Sequence, residues 1–398
     1  MATLASRSHR QLLVVVGVLL AATLVALVVL WPSVTPVPVE DRPPGEVVAG
    51  EVLALQERAR DDDGGPATSL VVTVRVLEGP DDGLVTDLEI LPEGFPTFRV
   101  GDRLALAPTD GSGGADPYVI IDFQRLPTLW LLFGLFVAAV IAVGRWQGVR
   151  SLVGLVLSLV IVIRFVVPAI LAGTSPPLVA LVGALAIMIV TLYLAHGVSE
   201  MTTAAVIGTA AALLLTIGLG VLFIELGRIS GFASEQAALA RLAVDGLDLQ
   251  GLVLAGLIIA ALGVLDDVTI SQASTVFALH ETDRDLTWAT LFGRAMKVGR
   301  DHIASVVNTL FLAYTGASLA LLVLFSTSGV PASELVNSEL FAEEIVAIVV
   351  GSLGLIAAVP LTTALAATMA LRGDREVASR AATRRAETGA APPSVPER

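Results

Sequence analysis

Long apolar runs, each about the length of one membrane crossing, recur along the chain. A helix needs about 20 apolar residues to span roughly 30 Å of hydrocarbon at 1.5 Å per residue. The first run covers residues 12–30 and follows the basic residues Arg7 and Arg10. Seven further runs cover residues 128–144, 150–172, 178–195, 201–225, 250–268, 302–325 and 344–371. The pattern predicts an all-α polytopic membrane bundle of about eight transmembrane helices.

The first run fits a signal-anchor helix over residues 1–31. Its apolar part is long for a secretory signal peptide, and Pro36 follows the only small-residue cleavage position, at residues 33–35. We expect an uncleaved anchor, and a cleaved signal peptide is the alternative.

Residues 32–126 have a different pattern, in which short valine-rich stretches are separated by loops rich in aspartate and glycine. Such stretches are typical of β-strands, and such loops are typical of turns. The predicted strands are residues 46–55, 69–77, 84–91, 98–106 and 117–123, and the predicted loops are residues 61–65, 79–83 and 110–114. Five short strands in one segment indicate a small all-β, barrel-like domain, for which an OB-like barrel is one option.

The distribution of basic residues predicts the orientation. Basic residues flank the connection between residues 144 and 150 and the one between residues 268 and 302, and they follow the last span, all on the same side as Arg7 and Arg10. The alternate connections at residues 173–177 and 326–343 are neutral or acidic. The positive-inside rule therefore places both termini in the cytoplasm of a bacterial cytoplasmic membrane and residues 32–126 on the extracytoplasmic side. The later spans then form a seven-helix transmembrane core over residues 127–372, and residues 373–398 are predicted to be a disordered cytoplasmic tail. The basic residues that carry this argument are Arg7, Arg10, Arg145, Arg150, Arg284, Arg294, Lys297, Arg300, Arg372, Arg375, Arg380, Arg384 and Arg385.

Composition narrows the classes of function. Hydrophobic residues make up 55% of the chain and charged residues only 15%, which argues against a soluble enzyme. The absence of cysteine excludes disulfides and iron–sulfur clusters. The net charge of −13 gives nucleic-acid binding no electrostatic support. Residues 32–126 hold 18 acidic residues and seven arginines, so this segment should face water, where an envelope protein could bind it. The lipid bilayer is the predicted partner of the remainder, and no cofactor is expected.

Charged groups at membrane depth cost several kcal/mol unless they are paired or hydrated, so they mark candidate functional sites. Asp266 and Asp267 come about 24 Å after the outer end of their span, which places them in the inner third of the membrane. At 100° per residue, Asp267, Ser271 and Ser274 share one helix face with Glu281. This polar stripe predicts a water-filled vestibule, and the alternative is a solvated helix beyond the membrane interface.

The next span contributes polar residues at the same depth. Asp301 and Asn308 are seven residues apart and share a helix face, whereas His302 and Asn308 do not. We therefore predict a polar cavity near the cytoplasmic side, formed by Asp266, Asp267, Ser271, Ser274, Asp301, His302 and Asn308. In the outer leaflet, Arg164 and Glu225 are candidates for an ion pair, and the alternative is that Arg164 extends outward to the interface.

Known catalytic patterns are absent from the sequence. Adjacent aspartates such as Asp266 and Asp267 point about 100° apart, so they do not form an aspartyl-protease dyad. No nucleophile elbow and no Walker loop is present. Asp266, Asp267 and His302 could contact a hard cation, but the chain lacks the two-histidine spacing of common metal sites. We expect neither an enzymatic activity nor a resident metal.

Several motifs resemble those of the YibE/F-like family of bacterial membrane proteins. They are residues 193–200 (YLAHGVSE), 262–272 (LGVLDDVTISQ), 298–302 (VGRDH) and 308–318 (NTLFLAYTGAS). The resemblance extends over roughly residues 10–372. It implies an integral membrane protein without an established reaction. The positions that match the family pattern are Asp267, Gly299, Arg300, Asp301, Asn308, Thr309 and Gly316, whereas Asp266 and His302 depart from it.

Two hypotheses for the function follow. The first is a transporter or export component, because a polar layer in a helical core could pass a solute. The alternative is a non-transporting scaffold or assembly factor whose external β domain binds a partner. An intramembrane enzyme is a third hypothesis with less support. The sequence leaves the oligomeric state open.

Overall fold

The computed structural model describes residues 2–32, 47–62, 65–91, 96–109, 116–233 and 235–388. The chain forms two compact units. One unit comprises Met1–Thr35 and Val143–Arg398, and the other comprises Pro36–Ala142. A β-rich segment is therefore separate from most of the helices, in agreement with the two patterns in the sequence.

The β-rich unit contains one antiparallel sheet of five strands in the order β3-β2-β1-β4-β5. A register shift between Val52 and Ala54 interrupts the pairing of β1 with β2. Such bulges increase the local twist and curve a sheet. No ladder joins the edge strands β3 and β5 in the described residues, so the sheet is an open half-barrel. The strands are β1 (Val48–Asp62), β2 (Gly65–Val76), β3 (Val85–Ile90), β4 (Arg103–Pro108) and β5 (Tyr118–Phe123).

Two predictions for this unit were wrong in detail. Three residues of the predicted loop at residues 61–65 belong to strands, because β1 and β2 continue their pairing to Asp62 and Gly65, and residues 63 and 64 lie outside the described residues. The predicted strand at residues 98–106 begins only at Arg103. Gly101 has a φ of 92°, and its N–H donates to the carbonyl of Val52. The residues before Arg103 therefore form a turn instead of an extended strand.

The core of the sheet is made of alternating valines and leucines. Val72, Val74 and Val76 are fully buried, as the period-2 pattern requires. Tyr118 is also buried, and its hydroxyl donates a hydrogen bond of 2.8 Å to Asp81. Burial raises the pKa of Tyr118, and the Asp81 carboxylate raises it further. This bond ties the turn between β2 and β3 to strand β5.

The other unit is helical. Helix α6 is a short helix between α5 and α7 in the chain. The last helix continues to Thr388, well beyond the predicted end at residue 372, because the tail is rich in alanine, arginine and glutamate, which favour helices. The helices are α1 (Ala2–Val29), α2 (Leu126–Ile161), α3 (Val167–Leu171), α4 (Pro176–His196), α5 (Glu200–Leu226), α6 (Glu235–Ala243), α7 (Leu249–Thr282), α8 (Trp288–Ala317), α9 (Leu319–Thr327), α10 (Ala332–Asn337) and α11 (Glu339–Thr388).

Among the described residues, five helices are long and apolar enough to cross a membrane. A sixth candidate is the pair α8 and α9, which is bent by 60°, so the predicted straight span at residues 302–325 is broken near Ser318. The described apolar part of α1, Val14–Val29, is shorter than a full crossing. The predicted number of eight spans is therefore not established. The five helices are Leu126–Leu171, Pro176–His196, Glu200–Leu226, Leu249–Thr282 and Glu339–Arg372.

The first of these five helices is interrupted at Arg145. Its 46 residues would be about 69 Å long as one straight helix, more than twice the thickness of the hydrocarbon. Arg145 has a φ of 50° and a ψ of −130°, which lies outside the helical region. The residues before and after Arg145 therefore form two helical stretches, each long enough for a crossing.

Helices α5 and α11 pack closely through two reciprocal glycine–threonine contacts. A Cβ atom on Gly208 of α5 would overlap the side chain of Thr362 on α11. A Cβ atom on Gly354 of α11 would likewise overlap Thr216 on α5. Small residues allow such close approach of helix backbones in membranes. The two contacts are eight residues apart on each helix, so they fix two points of the crossing.

Replacing Gly208 with alanine should destabilise the helical unit. The new methyl group would overlap Thr362, and overpacking of this kind typically costs about 1–3 kcal/mol. The matched control is Gly218→Ala, because Gly218 lies on the same helix and has no neighbour within 4 Å of its Cβ position. We expect a lower melting temperature in detergent for Gly208→Ala only. Equal melting temperatures for the two variants would contradict the close contact.

The Tyr118–Asp81 hydrogen bond should be visible in a pH titration. Because the pKa of Tyr118 is raised, its contribution to stability is complete below the ordinary tyrosine pKa of about 10 and is lost as the pH rises through the raised value. The chain contains three tyrosines, so the tyrosinate absorbance of wild type minus Tyr118→Phe isolates one group. We expect the midpoint of this difference above pH 10. A midpoint at or below 10 would disprove the interaction.

Candidate functional site

Helix α7 is the central element of the helical unit, since it contacts α4, α5, α8 and α11. Its buried residues include Leu257, Ile258, Leu265 and Val268. A helix that is apolar on several sides is held inside a bundle. The packing of α7 therefore determines where its polar side chains point.

One side of α7 directs Asp266 toward α4. Thr191 Oγ1 on α4 donates a hydrogen bond of 3.0 Å to Asp266 Oδ2. The other oxygen, Oδ1, is buried and has no hydrogen-bond partner within the described chain. Gly154 of α2 packs against Thr191, with its Cβ position 3.7 Å from Thr191 Cα. This packing holds Thr191 in place, and one acceptor of Asp266 remains free for a proton or a ligand.

A second side of α7 forms a buried contact with α5. The hydroxyls of Thr209 on α5 and Thr269 on α7 lie 2.6 Å apart, and both side chains are fully buried. Thr209 also donates to the carbonyl of Ala205 in its own helix. Buried hydroxyls are stable in a bundle when they are hydrogen-bonded. This contact therefore joins the helices and leaves no opening.

A third side of α7 carries Gln272 toward α8 and α11. Its Nε2 donates to Thr363 Oγ1 at 2.8 Å and to the carbonyl of Ala295 at 3.1 Å. Gly299 of α8 makes room for the amide, because a Cβ atom there would lie 3.0 Å from Gln272 Oε1. Val268, one turn earlier, packs against Val359 of α11. Gln272 thus connects three helices through satisfied polar contacts.

The remaining side of α7 is accessible along the whole helix, between the sides that meet α4 and α8. We call it the open face of α7. Apart from Asp267 and Glu281, the residues of this face are glycine, alanine or serine. Asp267, Ser271 and Ser274 lie here, as the polar stripe predicted, whereas Asp266 points to α4. The open face consists of Gly256, Ala260, Gly263, Asp267, Ser271, Ser274, Ala278 and Glu281.

The accessible face of α5 has a different composition. On α5, the exposed positions include Leu214, Val221 and Leu222. Large apolar side chains of this kind are suited to lipid, whereas small and ionisable residues suit close packing or a water-filled space. The open face of α7 is therefore unlike a lipid-facing surface.

Helix α8 presents its candidate residues differently. Met296, Ile303 and Val307 pack toward α7 and α11. Asp301 and Asn308 are exposed on the opposite side, and neither has a hydrogen bond or ion pair to a described residue. The shared face predicted for this pair is present. The structure joins neither residue to Asp266 or Asp267 by a polar contact.

His302 lies at the edge of the packed side of α8. Its ring is half-buried, and its Nε2 has no hydrogen-bond partner among the described residues. No group of three histidine or acidic residues in the described part of the chain is arranged to hold a metal ion. The three residues considered as ligands in the sequence, Asp266, Asp267 and His302, are not such a group.

The candidate pair in the outer leaflet is not formed. Arg164 and Glu225 are both exposed and described, and no ion pair joins them. Arg164 lies in a π-helical turn, Val162–Val166, that precedes Pro168. Proline lacks an N–H donor and disturbs regular helical bonding, which accounts for a wider turn at this point. The extension of Arg164 toward the interface stays a prediction.

The polar residues inside the bundle were not predicted from the sequence. Thr191, Thr209, Thr269 and Gln272 are each hydrogen-bonded across helices. For Thr269 and Gln272, the available signal was their position on α7, away from the stripe that contains Asp267. Their partners on other helices could not be inferred without the relative rotation of those helices.

Apolar spans around a polar helix face define an integral membrane protein with a helical core. Residues 132–372, more than half of the chain, match the family described as YibE/F-like protein. The chain therefore belongs to this family, which confirms the resemblance seen in the sequence motifs. No curated protein and no solved structure matches the chain.

Water should reach the open face of α7 if it lines a polar cavity. The chain has no cysteine, so single-cysteine variants can be labelled with a hydrophilic thiol reagent. We expect fast labelling of Gly263→Cys and Ser271→Cys. The buried control Ala273→Cys and the lipid-facing control Leu214→Cys should react at least about tenfold more slowly, because only a hydrated thiol ionises readily. Labelling of the open face as slow as that of Leu214→Cys would contradict a hydrated face.

Proposed function

We propose that this protein is a transporter or export component in which the open face of α7 lines a polar cavity near the cytoplasmic side of the membrane. The observation that carries this proposal is the composition of the face. It combines Asp267 with small residues and has no large apolar side chain, although it is accessible on a membrane-spanning helix. An ionisable group in such a place is a candidate for a solute or proton pathway.

The two aspartates would have different roles. Asp267 is exposed on the open face, so it is the group that would exchange a proton or contact a cation. Asp266 is held by Thr191 and has one free acceptor oxygen, so it would stabilise a positive charge beside Asp267. Ser271 and Ser274 supply hydroxyls further along the same face. The contacts of Thr269 and Gln272 would keep the opposite sides of α7 closed.

The proposal includes the orientation expected from the sequence. Eight crossings would consist of α1, the two parts of α2 on either side of Arg145, α4, α5, α7, the bent pair α8 and α9, and α11. The two stretches joined at Arg145 support the separate counting of residues 128–144 and 150–172. The basic connections would lie in the cytoplasm of a bacterial cell, and residues 32–126 would lie outside.

A scaffold or assembly factor is the alternative function, and a pocket in the β-rich unit favours it. The pocket has a volume of about 280 Å³, with an apolar wall that includes Val48, Pro80 and Tyr118 and with the carboxylates of Glu78 and Asp81. Such a pocket suits a basic, partly apolar segment of an envelope protein.

We expect no enzymatic activity. The strand order would be that of an OB-like barrel if β3 and β5 met.

Transport can be tested in proteoliposomes with the full chain. A pH-sensitive dye inside the vesicles would report proton movement, and separate trials would add monovalent cations, divalent cations or peptides. We expect a flux in the wild type and at least a tenfold lower flux for Asp267→Asn, because the amide cannot exchange a proton or carry a negative charge.

The control for this experiment is Asp285→Asn, which removes the same charge from an exposed turn between α7 and α8. It should retain the wild-type flux. An unchanged flux in Asp267→Asn would exclude the proposed role of Asp267. No flux with any probe, together with specific capture of an envelope protein that Asp81→Asn abolishes, would favour the scaffold instead.

A further inference from the structure

We propose that the exposed side of α8 is an interface with a second copy of this chain, an inference independent of the transport activity. The side consists of five exposed residues at spacings of three and four. We call it the outer face of α8. The opposite side of the helix packs against α7 and α11 through Met296, Ile303 and Val307. The outer face consists of Lys297, Asp301, Ala304, Asn308 and Leu312.

Asn308 is the residue that requires a partner. The apolar run predicted as a span begins at His302, so Asn308 lies about 9 Å further along the helix, and the proposal places it within the hydrocarbon. Its amide is exposed and forms no hydrogen bond with a described residue. Lipid chains offer neither donors nor acceptors, and polar side chains in spans therefore bond to neighbouring helices. An outward-facing asparagine at this depth indicates a neighbouring helix that can bond to it.

A second copy meets this requirement by symmetry. Two copies in one membrane have the same orientation, so their α8 helices run parallel about a two-fold axis. Residues on that axis face their own counterparts. An asparagine amide is both donor and acceptor, so Asn308 can pair with Asn308 of the second copy. A single asparagine in a parallel helix pair is also known to fix its register.

The charges of the outer face are complementary in the same arrangement. Lys297 and Asp301 are one turn apart and are both exposed. In a parallel pair, Lys297 of one copy lies beside the layer of Asp301 of the other copy, and the reverse contact forms by symmetry. Ala304 lies between these layers, where a small side chain allows the helices to approach. The face is therefore self-complementary in charge, hydrogen bonding and shape.

The surrounding structure leaves this side of the helical unit uncovered. Helix α9, which continues the α8 span after the bend, has no buried residue. Leu312 and Phe311 of α8 are also more than half exposed. A second copy would cover these apolar side chains as well as Asn308.

Disulfide cross-linking of single-cysteine variants tests the interface, because the wild-type chain has no cysteine. The variants on the outer face are Ala304→Cys, Asn308→Cys and Leu312→Cys. The matched controls are Ile303→Cys and Val307→Cys, which lie at the same depth on the packed side. After mild oxidation in native membranes, we expect a band at twice the mass of 41.2 kDa, at least tenfold stronger for the outer-face variants.

Several outcomes would overturn the proposal. They are the absence of the band, equal bands for both sides of α8, and a cross-linked product whose mass shows a different protein. A second measurement replaces Asn308 with leucine, whose side chain cannot form hydrogen bonds. In nanodiscs, Asn308→Leu should lower the dimer fraction several-fold, whereas Asn337→Leu, at the exposed end of α10, should not. A dimer fraction unchanged by Asn308→Leu would show that Asn308 is not part of the interface.

Discussion

The close crossing of α5 and α11 is the constraint on which the helical unit depends. Gly208 and Gly354 bring the two backbones together, and each glycine receives a threonine of the other helix. Lipid provides little hydrophobic force between helices, so close packing of this kind supplies much of the association. Helix α7 lies against both of these helices, and its rotation is set by the polar contacts of Thr269 with α5 and of Gln272 with α11. The position of Asp267 follows from that rotation.

Small residues have two distinct uses in this protein. Inside the bundle, glycine allows backbones to meet, and a larger side chain would separate them. On the accessible side of α7, glycine, alanine and serine leave space beside Asp267 that larger side chains would fill. The same residue types therefore produce dense packing where another helix is present and an open surface where none is. This difference cannot be read from composition, since it depends on the neighbours.

The sequence was sufficient for the features that depend on local pattern. The predicted spans at residues 178–195 and 201–225 agree with α4 and α5 to within two residues at each end, because apolar length and the flanking Pro176 and Ser199 define them. Five strands were also confirmed. The contact between Thr191 and Asp266 could not be predicted, because it depends on how two helices are rotated relative to each other. The bend near Ser318 gave no clear signal, since the flanking sequence remains apolar.

The uninterrupted length of α7 has a mechanical consequence. The helix has 34 residues and is therefore about 51 Å long, so roughly 20 Å of it extends beyond the hydrocarbon. A stiff rod converts a small tilt at one end into a large displacement at the other. A rotation of about 5° around Leu249, at the start of α7, would move Thr282 by roughly 4 Å at this rise per residue. Helix α7 thus has the dimensions of a lever.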